Sequence, residues 1–330
     1  MRDLYWALKG PGLLSSTHSP FVNRVVADLE IEAQLALQLG SLTQLDVAPG
    51  PLETHLLEQT ATTQRLGRYF EALLSYWIQK VLKPHVFSSN LIISGIPGEG
   101  MRKTTLGELD VVSQREPGMT GEHWEAAVKF YLFAGSTPAE ALAPEFYVGT
   151  MVRDRLDLKI DKLFNHQLRI TDRPETQDTL RKLGINLVRS RALVKGILFY
   201  PLGENWQIHP TPVEVSPRHQ RGWWLPSDQT QELEVHCRAD SRYLILRKVR
   251  WLSPGRAPIP AQNPDSGPMT LPELRQFLDR HFGESGHPLM ISELNLRLSG
   301  EQEISRGLFV DPGWLGRAQT VLHGLRQDSC

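Results

Sequence analysis

Acidic residues and a lysine occur in the middle of two stretches that have the pattern of neighbouring β-strands. Residues 107–112 read GELDVV, and residues 123–132 read HWEAAVKFYL. Two apolar runs joined by a turn-rich linker predict a β-hairpin. Because a hairpin would normally carry uncharged residues at the centres of its strands, these side chains are the first candidates for chemistry in this sequence.

The strand faces indicate which of these charges can act together. Side chains alternate across a strand, so residues two apart share a face. Glu125 and Lys129 share one face of the second strand with the small Ala127 between them, and Glu108 and Asp110 share a face of the first. If the strands pair, Asp110 lies beside the row that contains Glu125. The opposite face of the second strand is apolar and should pack on a core: Trp124, Ala126, Val128, Phe130 and Leu132.

Carboxylates next to a lysine on a sheet are suited to the cleavage of phosphodiesters. Carboxylate oxygens are the hard ligands that Mg²⁺ prefers, and the ion polarises a phosphoryl oxygen and makes a bound water more acidic. A lysine can orient that water or stabilise the developing charge. The alternative is a half-exposed hairpin with cross-strand ion pairs of about 0.2–1 kcal/mol each. Spacing alone favours this alternative, and both interpretations stay open at this point.

Hydrophobic periodicity predicts the elements around the hairpin. Apolar residues with a 3.6-residue period predict helices over residues 64–82 and 153–168. The Pro- and Trp-rich residues 209–228 are expected to be irregular. Further strands are predicted at 90–98, 191–201 and 242–252. The predicted fold class is α/β, with a mixed central sheet flanked by helices.

Three segments are expected along the chain. A helical extension covers residues 1–60, an α/β core covers 61–252, and a C-terminal extension covers 253–330 after a linker rich in Pro and Gly. The C-terminal extension is polar and is expected to be mainly helical.

The composition fits a soluble protein of the cytoplasm. The chain has 330 residues, of which 40% are hydrophobic and 22% charged, and a net charge of −1. Two cysteines argue against a disulfide framework, and no apolar run approaches the roughly 18 residues that a membrane span needs. We therefore expect no membrane partner. Residues 153–195 carry eleven Lys and Arg against six Asp and Glu, a modest local bias toward an anionic ligand.

The motifs resemble a known nuclease superfamily. GELDVV followed by a strand that ends in AVK is similar to the motif of PD-(D/E)XK nucleases, in which an acid-x-Lys strand follows a Gly-Glu-Leu/Ile-Asp strand. Most of the chain also resembles a bacterial family, domain of unknown function family 1853, which is assigned to that superfamily. The blocks that carry this second resemblance are GELDVV, AVKFYL, DRLDLKIDKLFNHQL, VKGILFYP and RGWWL. The resemblance implies a restriction-endonuclease-like core with N- and C-terminal elaborations.

The resemblance also implies roles for individual residues. Asp110 matches the metal-binding acid, Lys129 matches the motif lysine, and Glu71 on the 64–82 helix matches an acid that often completes the site. Glu71, Asp110 and Glu125 would hold Mg²⁺ or Mn²⁺. Asp110, Glu125 and Lys129 would be catalytic, and we expect all four side chains to converge on one cleft.

One position departs from the superfamily pattern. The residue two before the lysine should be acidic, but it is Ala127, and Glu125 lies one pleat farther away. Four residues of strand, about 13 Å between Cα atoms, separate Glu125 from Lys129. Three interpretations stay open: Glu125 is a migrated ligand, Glu108 or Glu71 compensates, or the site has lost its chemistry.

Three further side chains are expected to meet the substrate. In the resembled fold, the helix after the lysine strand often directs a polar residue at the phosphate. Gln167 is the polar residue on the inward stripe of the 153–168 helix, Lys159 lies on its flank, and Glu108 precedes Asp110. The expected function is a metal-dependent phosphodiesterase or nuclease acting on DNA, as an endo- or an exonuclease. The alternative is an inactive protein of the same fold that binds nucleic acid or a protein partner.

Overall fold

The structure is a computed structural model of α/β class, in which a large mixed sheet is flanked by helices. It describes residues 1–18, 20–61, 65–95, 104–203, 205–256, 267–295 and 302–328. The predicted α/β class with a mixed central sheet is confirmed.

Ten α-helices occur within the described ranges. They are α1 (Arg2–Lys9), α2 (Asp28–Leu37), α3 (Leu39–Val47), α4 (Gly50–Thr60), α5 (Leu66–Tyr76), α6 (Leu156–Asp161), α7 (Pro174–Lys182), α8 (Glu232–His236), α9 (Leu271–Glu284) and α10 (Trp314–Asp328). A π-helical turn, Trp77–Leu82, continues α5, and a second one, Lys162–Gln167, continues α6. No helix of the described part of the chain is long and apolar enough to cross a membrane.

Nine strands occur within the same ranges. They are β1 (Val86–Ser94), β2 (Thr105–Gln114), β3 (Gly121–Phe133), β4 (Tyr147–Gly149), β5 (Val188–Pro201), β6 (Gln220–Pro226), β7 (Arg242–Leu246), β8 (Leu289–Asn295) and β9 (Gln302–Val310). The predicted hairpin is confirmed as β2 and β3, which pair antiparallel. The two predicted helices are confirmed as α5 and α6 with their π-helical turns.

The chain divides into two compact units, and the long strands β3 and β5 each pass from one unit to the other. The first unit comprises residues 1–128 and 159–195, and the second comprises residues 129–158 and 196–330. The segment boundaries expected after residues 60 and 252 stay predictions.

The first unit holds strands in the order β1-β2-β3-β5. Helix α5 is helical because its apolar residues recur with the 3.6-residue period, and it buries Phe70, Leu73 and Leu74. Lys195 on β5 is fully buried and donates to Asp28 at the start of α2 over 3.2 Å. A hydrophobic core cluster of this unit includes residues of β1 and β2. It consists of Ile93, Leu109, Val112, Ile170, Leu180 and Ile185.

The second unit contains the ends of β3 and β5 followed by β6, β9, β8 and β7, with β4 paired to β3. Strand β6 is parallel to both β5 and β9, whereas β8 is antiparallel to its neighbours. The core of this unit is built from Trp223, Leu225, Leu233, Tyr243, Leu274, Leu278, Leu289, Ile291 and Phe309.

One expectation from the sequence is wrong in this unit, and a second is confirmed only in part. Residues 209–228, expected to be irregular, contain β6, in which Trp223 and Trp224 are buried. The C-terminal extension, expected to be mainly helical, supplies β8 and β9 between its two helices. Strand β6 pairs with β5 and β9, and β8 also pairs with β7, so part of the pairing of these strands involves residues far away in sequence, which local propensity does not reveal. Residues 96–98 of the first predicted strand and 257–266 of the linker lie outside the described residues.

Candidate metal centre

The hairpin aligns the two acids of its strands. Val111 of β2 pairs with Trp124 of β3, and Val112 pairs with His123. The pairing ends at Val111 and Trp124, and Asp110 and Glu125 are the next residues of the two strands. There the Asp110 carboxylate accepts a hydrogen bond from the backbone N–H of Ala126 over 2.9 Å. Asp110 is thereby held against β3 beside Glu125.

The charged face of β3 is covered rather than exposed to solvent. Glu125 is 2% exposed and His123 is 0% exposed, whereas Asp110 and Glu108 on β2 are half-buried. The alternative of a half-exposed hairpin with solvated charges is therefore wrong for this part of the strand. Burial of a charge without a partner is costly, so these acids require compensation from their surroundings.

Three carboxyl groups form an electrostatic cluster in the first unit. Burial, followed by the charge of Asp110, raises the pKa of Glu71 to about 7. Burial and the charge of Glu125 raise the pKa of Asp110 to about 7, and burial raises the pKa of Glu125 to about 7. Helix α5, strand β2 and strand β3 each contribute one member. Among the acids chosen from sequence, the structure thus brings Glu71, Asp110 and Glu125 together, with Glu108 beside them.

Arg68, which was not predicted from the sequence, binds two acids at the edge of this cluster. Arg68 on α5 donates to Glu71 over 2.9 Å and to Glu108 over 3.2 Å. It also donates to Asn90 of β1, whose φ of 53° lies in the left-handed region. Arg68 and Glu71 are three residues apart on one helix, a spacing that could have revealed the pair. Nothing in the sequence marks Asn90, because its backbone conformation is set by the sheet.

The hydrogen bonds of His123 determine which ring nitrogen carries its proton. Burial lowers the pKa of His123 to about 4, so the ring is neutral at pH 7. Thr171 donates to the Leu168 carbonyl over 3.1 Å, so its oxygen accepts from Ser190 over 2.7 Å. Ser190 must then accept from Nδ1 of His123 over 3.1 Å. The Nε2 lone pair of His123 therefore faces the interior of the site.

That lone pair points at a second acceptor. Nε2 of His123 lies 3.6 Å from Oε2 of Glu125, which exceeds hydrogen-bond distance. Neither atom has a hydrogen-bond partner among the residues that the structure describes. Two buried acceptors at this distance need a donor beside them, which a proton on either group, a water molecule or a cation can supply. His123 was visible in the sequence on the face of Glu125, but no pattern indicated its importance.

The polar residues expected on the following helix do reach the site. Nε2 of Gln167 donates to Oε1 of Glu125, and Nζ of Lys159 donates to Oε1 of Gln167 over 2.9 Å. Gly107 helps to bring this segment close, because a Cβ at that position would overlap the side chain of Ile170. The glycine of the GELD motif therefore has a packing role beside the acids.

Lys129 has a different environment. It belongs to the second unit, where its Nζ lies 2.5 Å from the carboxylate of Asp154, and the hydroxyl of Tyr131 donates to the same carboxylate over 3.3 Å. Its convergence with the acids of the first unit stays a prediction.

A polar cavity opens in the first unit next to the histidine network. Its volume is about 460 Å³. Ser190, which is hydrogen-bonded to His123, and Thr171, which is hydrogen-bonded to Ser190, form part of its wall. Arg24 and Arg169 also line it, and Arg24 stacks over the ring of Phe164 at 4.9 Å. Asp172 lies in the same lining 3.9 Å from Arg169, and Arg24 donates to the Phe164 carbonyl, so the cavity carries charges of both signs.

The donor chemistry of the acidic cluster fits a hard divalent cation. All three cluster members offer carboxylate oxygens, and the unpartnered Oε2 of Glu125 is an acceptor without a donor. As the side chains stand, no group of three or more His, Cys, Asp or Glu within the described residues is arranged to hold a metal ion. That Glu71, Asp110 and Glu125 hold a cation stays a prediction.

Comparison with known proteins gives a family but no activity. A family model described as a domain of unknown function (DUF1853) matches residues 2–310. No curated protein and no solved structure matches the chain.

Proposed function

This chain belongs to the DUF1853 family, and we propose that it is a divalent-metal-dependent phosphodiesterase acting on DNA, with a restriction-endonuclease-like core. The observation that carries the proposal is the buried cluster of Glu71, Asp110 and Glu125, whose pKa values are all raised to about 7. Structural ion pairs normally stabilise ionised carboxylates, whereas carboxyl groups that repel one another in a buried place are typical of sites that take up a cation.

The reaction is hydrolysis of one phosphodiester bond. The oxygen of a water molecule bonds to phosphorus, the bond between phosphorus and the leaving sugar oxygen breaks, and the water's proton passes to the carboxylate cluster and on to the leaving oxygen. A bound Mg²⁺ or Mn²⁺ would polarise the phosphoryl oxygen and make the water more acidic. Glu71, Asp110 and Glu125 would hold that cation, and a nearby ammonium stabilises the negative charge that develops on the phosphoryl group.

Two features support nucleic acid as the substrate. The segment 153–195 has the local excess of basic residues described above, and Arg24 and Arg169 line the cavity beside the histidine network. Arginines that contact phosphates position a strand without reading its sequence. Glu108 is held by Arg68 at the rim of the cluster, where it can limit the approach of the strand.

A second candidate function is binding without cleavage. It is favoured by Ala127 at the position where the superfamily motif has an acid, and by the ion pair that holds Lys129 against Asp154. Such a protein would keep the fold and bind nucleic acid or a protein partner.

The two functions are separated by a cleavage assay. Purified protein is incubated with single- and double-stranded DNA and RNA in the presence of Mg²⁺, Mn²⁺ or EDTA. We expect cleavage of DNA that requires the metal. Absence of cleavage for every nucleic acid with both metals, together with salt-dependent binding, would contradict the enzyme and support the binding protein.

A further inference from the structure

The strand position next to Glu125 provides no ammonium group. The Ala126 N–H that binds the Asp110 carboxylate places Asp110 next to Glu125 and makes Glu125 the acid of this strand, so a lysine two residues later would stand at position 127. That position is Ala127, which is 9% exposed and covered. The strand lysine, Lys129, is two residues farther along and is occupied by Asp154 at 2.5 Å.

An ammonium group reaches Glu125 from the following helix instead. Lys159 donates to Gln167 over 2.9 Å, and Gln167 donates to Glu125. Only one orientation of the Gln167 amide satisfies both contacts, because an ammonium only donates and an ionised carboxylate only accepts. The amide therefore fixes the direction of donation in this series of hydrogen bonds, which runs from Lys159 through Gln167 to Glu125.

The charge of Lys159 acts directly on the acidic cluster. It lowers the pKa of Glu125, which opposes the larger effect of burial. Lys159 is half-buried and lies at the start of the helical segment whose far end carries Gln167. A side chain placed in this way can leave Gln167 and meet a phosphate bound at the carboxylates without any movement of the backbone.

We infer that Lys159, and not the strand residue Lys129, is the lysine that acts on the scissile phosphate, and that Gln167 holds it beside Glu125 until the substrate binds. This inference rests on the proposed phosphodiesterase function. Lys159 donates to a non-bridging phosphoryl oxygen as water adds to phosphorus, and it returns to Gln167 after the leaving oxygen has taken its proton. Lys129 mainly neutralises Asp154.

The test compares lysine variants in steady-state cleavage of DNA with Mg²⁺ or Mn²⁺. Lys159→Ala should lower kcat by about 100-fold or more, the usual effect of losing one donor to a developing charge. Its KM should stay within about threefold, since the interaction forms in the transition state. Lys159→Arg should recover part of kcat. Lys162→Ala is the matched control: Lys162 is exposed on the same helical segment, and its loss should leave kcat unchanged.

Lys129→Ala should lower kcat by less than about tenfold and should lower the melting temperature, because it leaves Asp154 without its cation. Calorimetric titration with Mn²⁺ provides a measurement that is independent of cleavage. Lys159→Ala should bind Mn²⁺ at least as tightly as the wild type, since a positive charge near the cation is removed.

The outcomes distinguish this inference from the function on which it rests. An active wild type in which Lys159→Ala keeps full activity and Lys129→Ala loses it would overturn the role of Lys159 alone. A wild type that cleaves no nucleic acid with either metal would overturn the proposed function and the role of Lys159 with it. Circular dichroism of each variant confirms that a loss of activity is not a loss of fold.

Discussion

Asp110 is the residue on which the proposed chemistry depends most directly. Its carboxylate is held by the N–H of Ala126, and it lies between the acids of α5 and β3, raising the pKa of Glu71 while its own pKa is raised by Glu125. A residue in this position controls both the uptake of a cation and the repulsion inside the empty cluster. Its substitution should therefore affect activity and stability in opposite directions.

Asp110→Asn should abolish metal-dependent cleavage while leaving the protein folded. The amide oxygen can still accept from Ala126, but the charge that attracts the cation is lost, and we expect activity to fall by at least about 100-fold. Without metal at about pH 8, the melting temperature should equal or exceed that of the wild type, because one repulsive charge is removed. Cleavage that stays near the wild-type rate would remove Asp110 from the site.

Glu125→Gln tests whether Glu125 is the second ligand of the cation. The substitution keeps the shape of the side chain, and its new amide N–H can donate to the unpartnered Nε2 of His123. We expect loss of cleavage of the same size as for Asp110→Asn, with stability preserved. Near-normal cleavage, measured beside an inactive Asp110→Asn, would instead assign the second ligand to Glu108 or Glu71.

At the scale of elements, the close approach of β5 to β3 constrains the second unit. Gly196 on β5 has a φ of 149°, and a Cβ there would overlap the backbone carbonyl of Lys129. Only glycine has no Cβ to create this overlap. The backbone of β3 at Lys129 is therefore positioned by a residue that lies far away in sequence.

Gly196→Ala should lower the free energy of unfolding by about 3 kcal/mol or more, because the methyl group adds both backbone strain and a steric overlap. Gly40→Ala is the control, since a Cβ at Gly40 in α3 meets nothing within 4 Å, and it should change the free energy by less than about 1 kcal/mol. Urea denaturation measures both. Equal midpoints for the two variants would show that β5 can move away from β3.

At the scale of the whole molecule, the acidic cluster should make stability depend on pH. Burial raises the pKa of Glu71, Asp110 and Glu125 to about 7, above the value of about 4 for carboxyls in an unfolded chain. Between these values the three carboxyls bind more protons in the folded protein than in the unfolded one. The three carboxyls should therefore lower the free energy of unfolding as the pH rises from about 4 to about 7, by an amount on the order of a few kcal/mol. The buried neutral His123, whose pKa is lowered to about 4, acts in the opposite direction over part of this range, so the contribution of the carboxyls is measured as the difference between the wild type and Asp110→Asn.

Melting temperatures in EDTA and in Mg²⁺ or Mn²⁺ across this pH range check that expectation. A divalent cation binds the ionised carboxylates, so it should raise the melting temperature at about pH 8 and have little effect at about pH 5. Asp110→Asn should show a flatter pH dependence in EDTA and a smaller response to metal. A wild type and an Asp110→Asn variant with the same pH dependence of stability in EDTA would contradict the raised pKa values.

The sequence by itself determined the local elements and the acids of the hairpin. The alternation of side chains assigned Glu125 and Asp110 to particular faces of their strands, and the 3.6-residue period located α5 with Glu71. Both signals depend only on neighbours along the chain. The sequence also connected the chain with its family through motifs spread over most of its length.

Only the tertiary structure decided how those residues are surrounded. Strand β6 lies between β5 and β9, which are distant from it and from each other in sequence, an arrangement that local propensity cannot encode. The burial of Glu125, the orientation of His123 and the approach of Lys159 through Gln167 depend on the packing of the segment after α6 against β3. The sequence placed a lysine four residues after Glu125, but a side chain from another element supplies the nearby charge, since contacts in the folded state do not follow spacing along the chain.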